Sequence, residues 1–94
     1  MENSMAGGFT PLRSIVADEK ELFISVMDRI VGASHKPLAV ATQVVNGTNY
    51  AYLCETTLAT LHGESYNTLV IIHKPLPNVN EPPTLLEIKR IKVI

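Results

Sequence analysis

The sequence has little of what small secreted domains, nucleic-acid-binding proteins and membrane proteins carry. Of its 94 residues one is cysteine (Cys54), none is tryptophan, and 18% are charged. A single cysteine cannot form an intramolecular disulfide, whereas small secreted domains usually contain several. The net charge of −1 gives no basic surface for a phosphate backbone, so we expect no nucleic-acid partner. No apolar run is long enough to span a bilayer, so we expect no membrane association.

The first eight residues contain neither the basic segment nor the apolar segment of a signal peptide. Together with the single cysteine, this predicts a cytoplasmic protein. Their small and polar composition, with Gly7-Gly8 at the end, predicts a flexible N-terminal trunk over residues 1–8. The length and a hydrophobic fraction of 46% predict one folded domain over residues 1–94.

One amphipathic helix is predicted near the N-terminus. Asp18 and Glu21 have the spacing of a capping box, and Gly32 suits a C-terminal stop. Between them, apolar residues recur with the helical period and predict roughly four turns. The apolar residues are Leu22, Phe23, Val26, Met27, Ile30 and Val31, and the polar residues opposite them are Glu19, Lys20, Ser25, Asp28 and Arg29.

Four β-strands are predicted after the helix. They cover residues 36–46, 48–58, 67–74 and 84–92. In the first strand, alternation places Leu38 and Val40 on the same face, and Asn46-Gly47 is a strong signal for a tight hairpin with a type I′ turn. The alternation slips between Ile88 and Ile91, which predicts a bulge or a strand end there. One helix followed by four sequential antiparallel strands predicts an α+β domain with the helix on one face of the sheet.

Few side chains suit catalysis or metal binding. Cys54 lies in an apolar strand, where a thiol usually behaves as a small buried hydrophobe. No local signature places His35, His62 or His73 beside it, and His62, Glu64 and His73 match no zinc spacing. Phosphate-binding and hydrolase motifs are also lacking. We therefore predict a protein that is not an enzyme, binds no metal and no cofactor, and acts by binding another protein.

Three short segments are predicted to meet at one end of the sheet. In an antiparallel meander, the first and third connections lie at the same end, and the N-terminus can reach that end if the helix runs away from it. The segments are Met5-Ala6-Gly7-Gly8, Val44-Val45-Asn46-Gly47 and Leu76-Pro77-Asn78. Exposed apolar residues at loop tips indicate a contact surface. The alternative, that Val44 and Val45 merely finish a strand, stays open at this point.

The motifs in these segments resemble those of the cystatins, a family of cysteine-protease inhibitors. Gln43-Val44-Val45-Asn46-Gly47, followed by Thr48-Asn49-Tyr50, is similar to their first inhibitory hairpin, whose signature is Q-x-V-x-G. The Gly-Gly trunk is similar to the family's N-terminal segment. Lys74-Pro75-Leu76-Pro77-Asn78 resembles the second hairpin of the stefins, the type 1 cystatins, which lack disulfides. The resemblance covers about residues 6–92.

The resemblance implies a cystatin-like fold, an antiparallel sheet of about four to five strands wrapped around one long α-helix. It also implies reversible, tight-binding inhibition of papain-like cysteine proteases by occlusion of the active-site cleft, without a chemical reaction. The residues implied to contact the protease are Gly7, Gly8, Gln43, Val44, Val45, Asn46, Gly47, Leu76 and Pro77. The alternative is a non-inhibitory interaction module of the same fold. In either case the chain would be a monomer or a domain-swapped homodimer.

Two residues depart from the stefin pattern at the hairpin tips. Asn46 stands where stefins usually have alanine, and Asn78 stands where they usually have glycine. The Asn46 side chain enlarges a tip that must enter a narrow cleft, and the second hairpin, which has no tryptophan, offers only modest apolar area. These features predict inhibition that is weaker than in the tightest members of the family.

Overall fold

The computed structural model describes residues 8–92, which form one helix and a four-stranded antiparallel sheet. The sheet is a meander in which each strand pairs with the next along the chain. The elements are α1 (Ala17–Met27), β1 (Ala33–Val45), β2 (Gly47–Leu58), β3 (Ser65–Lys74) and β4 (Thr84–Ile91). The predicted α+β class and the order of elements are confirmed.

Helix α1 begins earlier and ends earlier than the sequence pattern predicted. Its N-terminus is closed by Glu19, whose carboxylate accepts a hydrogen bond from the Val16 N–H (3.1 Å). This is the backward half of a capping box, so the predicted pairing of Asp18 with Glu21 was wrong by two residues. The helix ends at Met27, where the Ile30 N–H donates to the Met27 carbonyl (3.0 Å), and the chain then turns through Gly32, at φ +93°. This turn is joined to the β2–β3 connection by a hydrogen bond from the Ala59 N–H to the Gly32 carbonyl (2.9 Å).

The core lies between the helix and one face of the sheet. Phe23 and Met27 of α1 are buried against β-strand residues Val40, Tyr52, Cys54, Val70 and Ile72. The rings of Phe23 and Tyr52 meet edge to face with centroids 4.8 Å apart. Burying a side chain of this size contributes about 1.5–3 kcal/mol, so these residues dominate the attachment of the helix to the sheet.

Glu19 was predicted on the solvent face of the helix, and this was wrong because it is buried. Its carboxylate forms two hydrogen bonds with the guanidinium of Arg13, at 2.9 and 2.6 Å. Its backbone carbonyl accepts a hydrogen bond from the hydroxyl of Tyr52 (2.7 Å). A buried carboxylate is stable only when it is paired, and here the pairing ties the N-terminal segment, the helix and the sheet together.

The N-terminal segment covers the outer edge of β1. Arg13 and Val40 exchange two backbone hydrogen bonds of 2.9 Å, and the Thr10 N–H donates to the carbonyl of Thr42 (2.8 Å). The segment therefore runs antiparallel to β1 and adds a short fourth ladder to the three between the strands. Four strands and this ladder agree with the predicted four to five strands.

Two irregularities interrupt the strand ladders. The β1–β2 register shifts between Pro37 and Ala39, so Leu38 has no partner and is half-exposed. Its predicted place on the face of Val40 is therefore wrong. In β4 the register shifts at Leu86, so no bulge lies between Ile88 and Ile91, but the strand ends at Ile91, as the alternative predicted. An unpaired extra residue of this kind bends the strand and strengthens its twist.

Candidate functional site

The first and third strand connections lie at the same end of the sheet, as predicted. β1 ends and β2 begins there, and β3 ends and β4 begins there. We call the residues at this end the loop edge, defined as residues 8–10, 43–47 and 74–79.

The β1–β2 hairpin presents apolar side chains to solvent at its tip. Val44 is 76% exposed and Val45 is 40% exposed. Both precede Asn46, which is also exposed. The predicted type I′ turn is wrong, because that turn needs positive φ at both central residues and no residue other than glycine has a positive φ within residues 8–92. The turn instead places its one positive φ, +110°, at Gly47.

Gly47 is buried under the start of the β3–β4 connection. A β-carbon at this position would lie 2.5 Å from the carbonyl oxygen of Lys74, 3.0 Å from Cε1 of His73 and 3.2 Å from the α-carbon of Pro75. Any side chain here would collide with backbone that cannot move independently. Only glycine satisfies both the close approach and the positive φ, so this residue sets the distance between the two loops.

A row of polar side chains crosses the sheet directly behind the loops. The Asn49 carboxamide donates from Nδ2 to Oε1 of Gln43 (2.9 Å). Its oxygen accepts a hydrogen bond from Nδ1 of His73 (2.8 Å). We call Gln43, Asn49 and His73 the polar ladder. It links β1, β2 and β3 on one face, so the two loops are held by side-chain bonds as well as by backbone bonds.

The polar ladder was not predicted from the sequence, where His73 was considered only as a partner for Cys54 or as a zinc ligand. The signal is present, since Gln43 pairs with Asn49 and Asn49 pairs with His73 in the strand registers. Those registers, however, depend on the residue at which each hairpin turns, and the loose connection between β2 and β3 contains no tight-turn signal that predicts this residue.

The β3–β4 connection supplies the second exposed tip. Leu76 is 40% exposed, and Pro77 and Asn78 are exposed beside it. A hydrogen bond from the Val79 N–H to the Leu76 carbonyl (2.9 Å) closes a turn around Pro77. Because proline fixes its own φ, this loop loses little conformational freedom when a partner covers it.

The N-terminal segment is directed toward the same edge. Thr10 makes two hydrogen bonds to Thr42, one through its N–H (2.8 Å) and one in which its hydroxyl accepts from the Thr42 N–H (3.0 Å). Because the segment is antiparallel to β1, Gly8 and Phe9 follow the direction of β1 toward its end at Val45. Gly8 and Phe9 are exposed. The predicted contact residue Gly7 and the rest of the trunk lie outside the described residues.

The remaining candidates for chemistry are placed elsewhere. Cys54 is fully buried, and burial raises the pKa of its thiol to about 12. His35 hydrogen-bonds to the hydroxyl of Thr56 (2.8 Å), and burial lowers its pKa. Within residues 8–92, no three His, Cys, Asp or Glu side chains are grouped so that they could hold a metal ion. Over the same range no helix is long and apolar enough to cross a membrane.

The ion pair between Arg13 and Glu19 is the main electrostatic feature near the N-terminal segment. The hydrogen bonds from Arg13 lower the pKa of Glu19, and those to Glu19 raise the pKa of Arg13. Both shifts favour the charged pair. The pair therefore holds the segment in place at any pH above the titration of this carboxyl group.

Comparison with known proteins supports the fold. No protein-family model matches the chain, and no curated protein matches it. Among solved structures, the chain is similar to a secreted type 1 cystatin from Fasciola hepatica. The likeness has a TM-score of 0.67 and 23% identity, and it covers 94% of this chain and 99% of that one. The fold of this chain is therefore cystatin-like, as the resemblance of its motifs predicted.

Proposed function

We propose that the chain is a stefin-type inhibitor that binds papain-like cysteine proteases reversibly at the loop edge. The observation that carries the proposal is the convergence of three separate segments on this edge. The β1–β2 tip and the β3–β4 tip each expose apolar side chains, and the N-terminal segment is directed toward them. Exposed apolar residues clustered at one end of a small protein are typical of a contact surface. The cystatin-like fold is consistent with this use.

The residue types suit a wedge that fills a cleft without being cleaved. Val44, Val45 and Leu76 provide apolar contact, and Gly47 keeps the two tips close together. The polar ladder and the proline-bearing loop keep the edge rigid before binding, which lowers the entropy that must be lost on association. A preorganised protease–inhibitor interface buries about 1,600 Å² in total and moves little on binding.

The described residues offer no chemistry for a covalent mechanism. Cys54 is buried in the core behind the helix, remote from the exposed loop tips. Inhibition would therefore depend on surface complementarity alone. The inhibitor should dissociate from the protease uncleaved, and added substrate should displace it.

A pair of matched variants tests which end of the molecule binds. Val45→Asp places a charge on the loop edge, and Leu61→Asp places the same charge on the β2–β3 connection at the opposite end, where Leu61 is 95% exposed. Burying an unpaired carboxylate at the interface should weaken inhibition by about tenfold or more. Leu61→Asp should inhibit as the wild type does. Equal inhibition by both variants would contradict the assignment of the loop edge.

We propose a cytoplasmic protein that inhibits as a monomer, because exchange of strands between two copies would open the β1–β2 tip into an extended hinge and bury the loop edge. Gel filtration tests the monomer, and cell fractionation tests the location. A stable dimer with no affinity for proteases would favour the alternative, a non-inhibitory module that has exchanged strands between two copies.

A further inference from the structure

Asn46 combines three properties that no other asparagine of the chain shares. It is exposed at the tip of the β1–β2 hairpin. It is followed by glycine, whereas the other five asparagines precede serine, tyrosine, threonine, valine or glutamate. Among residues 8–92, its carboxamide has no hydrogen bond to hold it, whereas the polar ladder holds Asn49, and Asn67 donates to the carbonyl of Cys54.

These properties are the chemical conditions for attack by the backbone on the side-chain amide. A glycine on the C-terminal side leaves its own nitrogen unshielded by a β-carbon. An exposed carboxamide can rotate toward that nitrogen, and water can reach the product. We propose that Asn46 is a site of spontaneous deamidation, and that the products no longer fit the contact surface of the loop edge.

The reaction needs only water. The backbone nitrogen of Gly47 attacks Cγ of Asn46, and a new N–Cγ bond forms while the bond from Cγ to the amide nitrogen breaks. That nitrogen leaves as ammonia and takes with it the proton lost from the Gly47 nitrogen. One water then opens the five-membered imide. Cleavage at Cγ gives an aspartate at position 46, and cleavage at the backbone carbonyl gives an isoaspartate.

Both products change the tip, one in its charge and the other in its backbone. Aspartate adds a negative charge beside the exposed side chains of Val44 and Val45. Isoaspartate adds one methylene to the backbone just before Gly47, which has no free space because the carbonyl of Lys74 and the α-carbon of Pro75 pack against it. The tip must then shift relative to the β3–β4 loop. This consequence rests on the proposed function, whereas the modification itself does not.

Incubation of the folded wild-type protein in mildly alkaline buffer tests the reaction, with peptide mapping by mass spectrometry at successive times. We expect the mass change of amide-to-acid conversion at Asn46. Asn78 and Asn80, which are exposed in the β3–β4 loop but precede valine and glutamate, are internal controls and should stay amides. Conversion at those residues with Asn46 unchanged would overturn the proposal. So would an unchanged Asn46 in the folded protein under conditions in which a peptide covering residues 43–50 converts.

The effect on binding is measured on the same samples. Inhibition of a papain-like protease should fall in proportion to the converted fraction, and the converted molecules should bind about tenfold or more weakly. Glutamine at position 46 would have to form a six-membered imide, which is much slower, so the inhibition by Asn46→Gln should not change between fresh and aged samples. Conversion without any loss of inhibition would refute the second half of the proposal. If fresh protein does not inhibit at all, the proposed function fails, and the deamidation site is still judged by mass alone.

Discussion

Replacement of Gly47 by alanine is the substitution to which the arrangement of the two loops should be most sensitive. Two costs add at this position. Its φ of +110° lies in a region that side chains rarely adopt, and holding alanine there costs about 1–2 kcal/mol. The β-carbon would also lie 2.5 Å from the Lys74 carbonyl, and forcing such an overpacked contact costs about 1–3 kcal/mol. We expect Gly47→Ala to lower the free energy of unfolding by about 2–5 kcal/mol.

Gly32→Ala is the matched control. Gly32 also has a positive φ, +93°, but nothing lies within 4 Å of its would-be β-carbon. It should lose only the conformational part, about 1–2 kcal/mol. Urea unfolding measures both values, because the midpoint changes with stability while the slope stays constant. Most domains have about 5–15 kcal/mol of stability, so both variants should still fold.

The same pair separates the packing of Gly47 from its φ. Because Gly47→Ala must displace the Lys74–Pro75 backbone, it should also weaken protease inhibition, whereas Gly32→Ala lies at the other end of the sheet and should not. If the two variants lose equal stability and inhibit equally, the close approach of the two loops has no energetic consequence, and the reasoning is refuted.

Three further predictions concern the supporting contacts. Because the pKa of Glu19 is lowered, its ion pair stabilises the fold above the usual pKa of 4.5, and this stabilisation is lost as pH falls through the lower folded value. Glu19→Gln should make stability less dependent on pH in this acid range, which urea unfolding at several pH values measures. At neutral pH the variant should lose about 1–2 kcal/mol, since the Arg13 side chain is 45% exposed and solvent screens the pair. The Cys54 thiol should react with a disulfide reagent only at the rate of unfolding, and fast labelling of the native protein would contradict its burial. Asn49→Ala breaks the polar ladder and should speed dissociation of the protease complex about tenfold. Asn67→Ala, at the far end of the sheet, is the control and should dissociate as the wild type does. Equal dissociation rates for the two variants would show that the ladder does not position the loops.

The sequence predicted the elements whose signals are local. The alternation in the strands, the apolar period around Phe23 and Met27, and the Asn46-Gly47 hairpin each depend on residues close together in the chain. The three hairpin and trunk motifs then indicated the cystatin-like fold because their order and spacing match that family, even though no single motif is specific.

What the sequence did not predict depends on contacts between distant segments. Glu19 was placed on the polar face because carboxylates are usually exposed, and nothing local shows that Arg13 folds back to pair with it. The ladder that crosses three strands depends on two registers. The turn type at Asn46 was also misjudged, because the strand pairing leaves a single positive φ at Gly47, and the type I′ preference of Asn-Gly pairs does not apply.

Titration of a papain-like cysteine protease with the wild-type chain tests the central proposal most directly. We expect turnover to fall to zero as inhibitor is added, in competition with substrate. Dissociation should restore activity, and mass spectrometry should recover the chain uncleaved between Val44 and Thr48. No inhibition of several such proteases at about 10 μM, a concentration that detects even weak binding, or cleavage at the hairpin with turnover, would contradict the proposal that the loop edge is an inhibitory wedge.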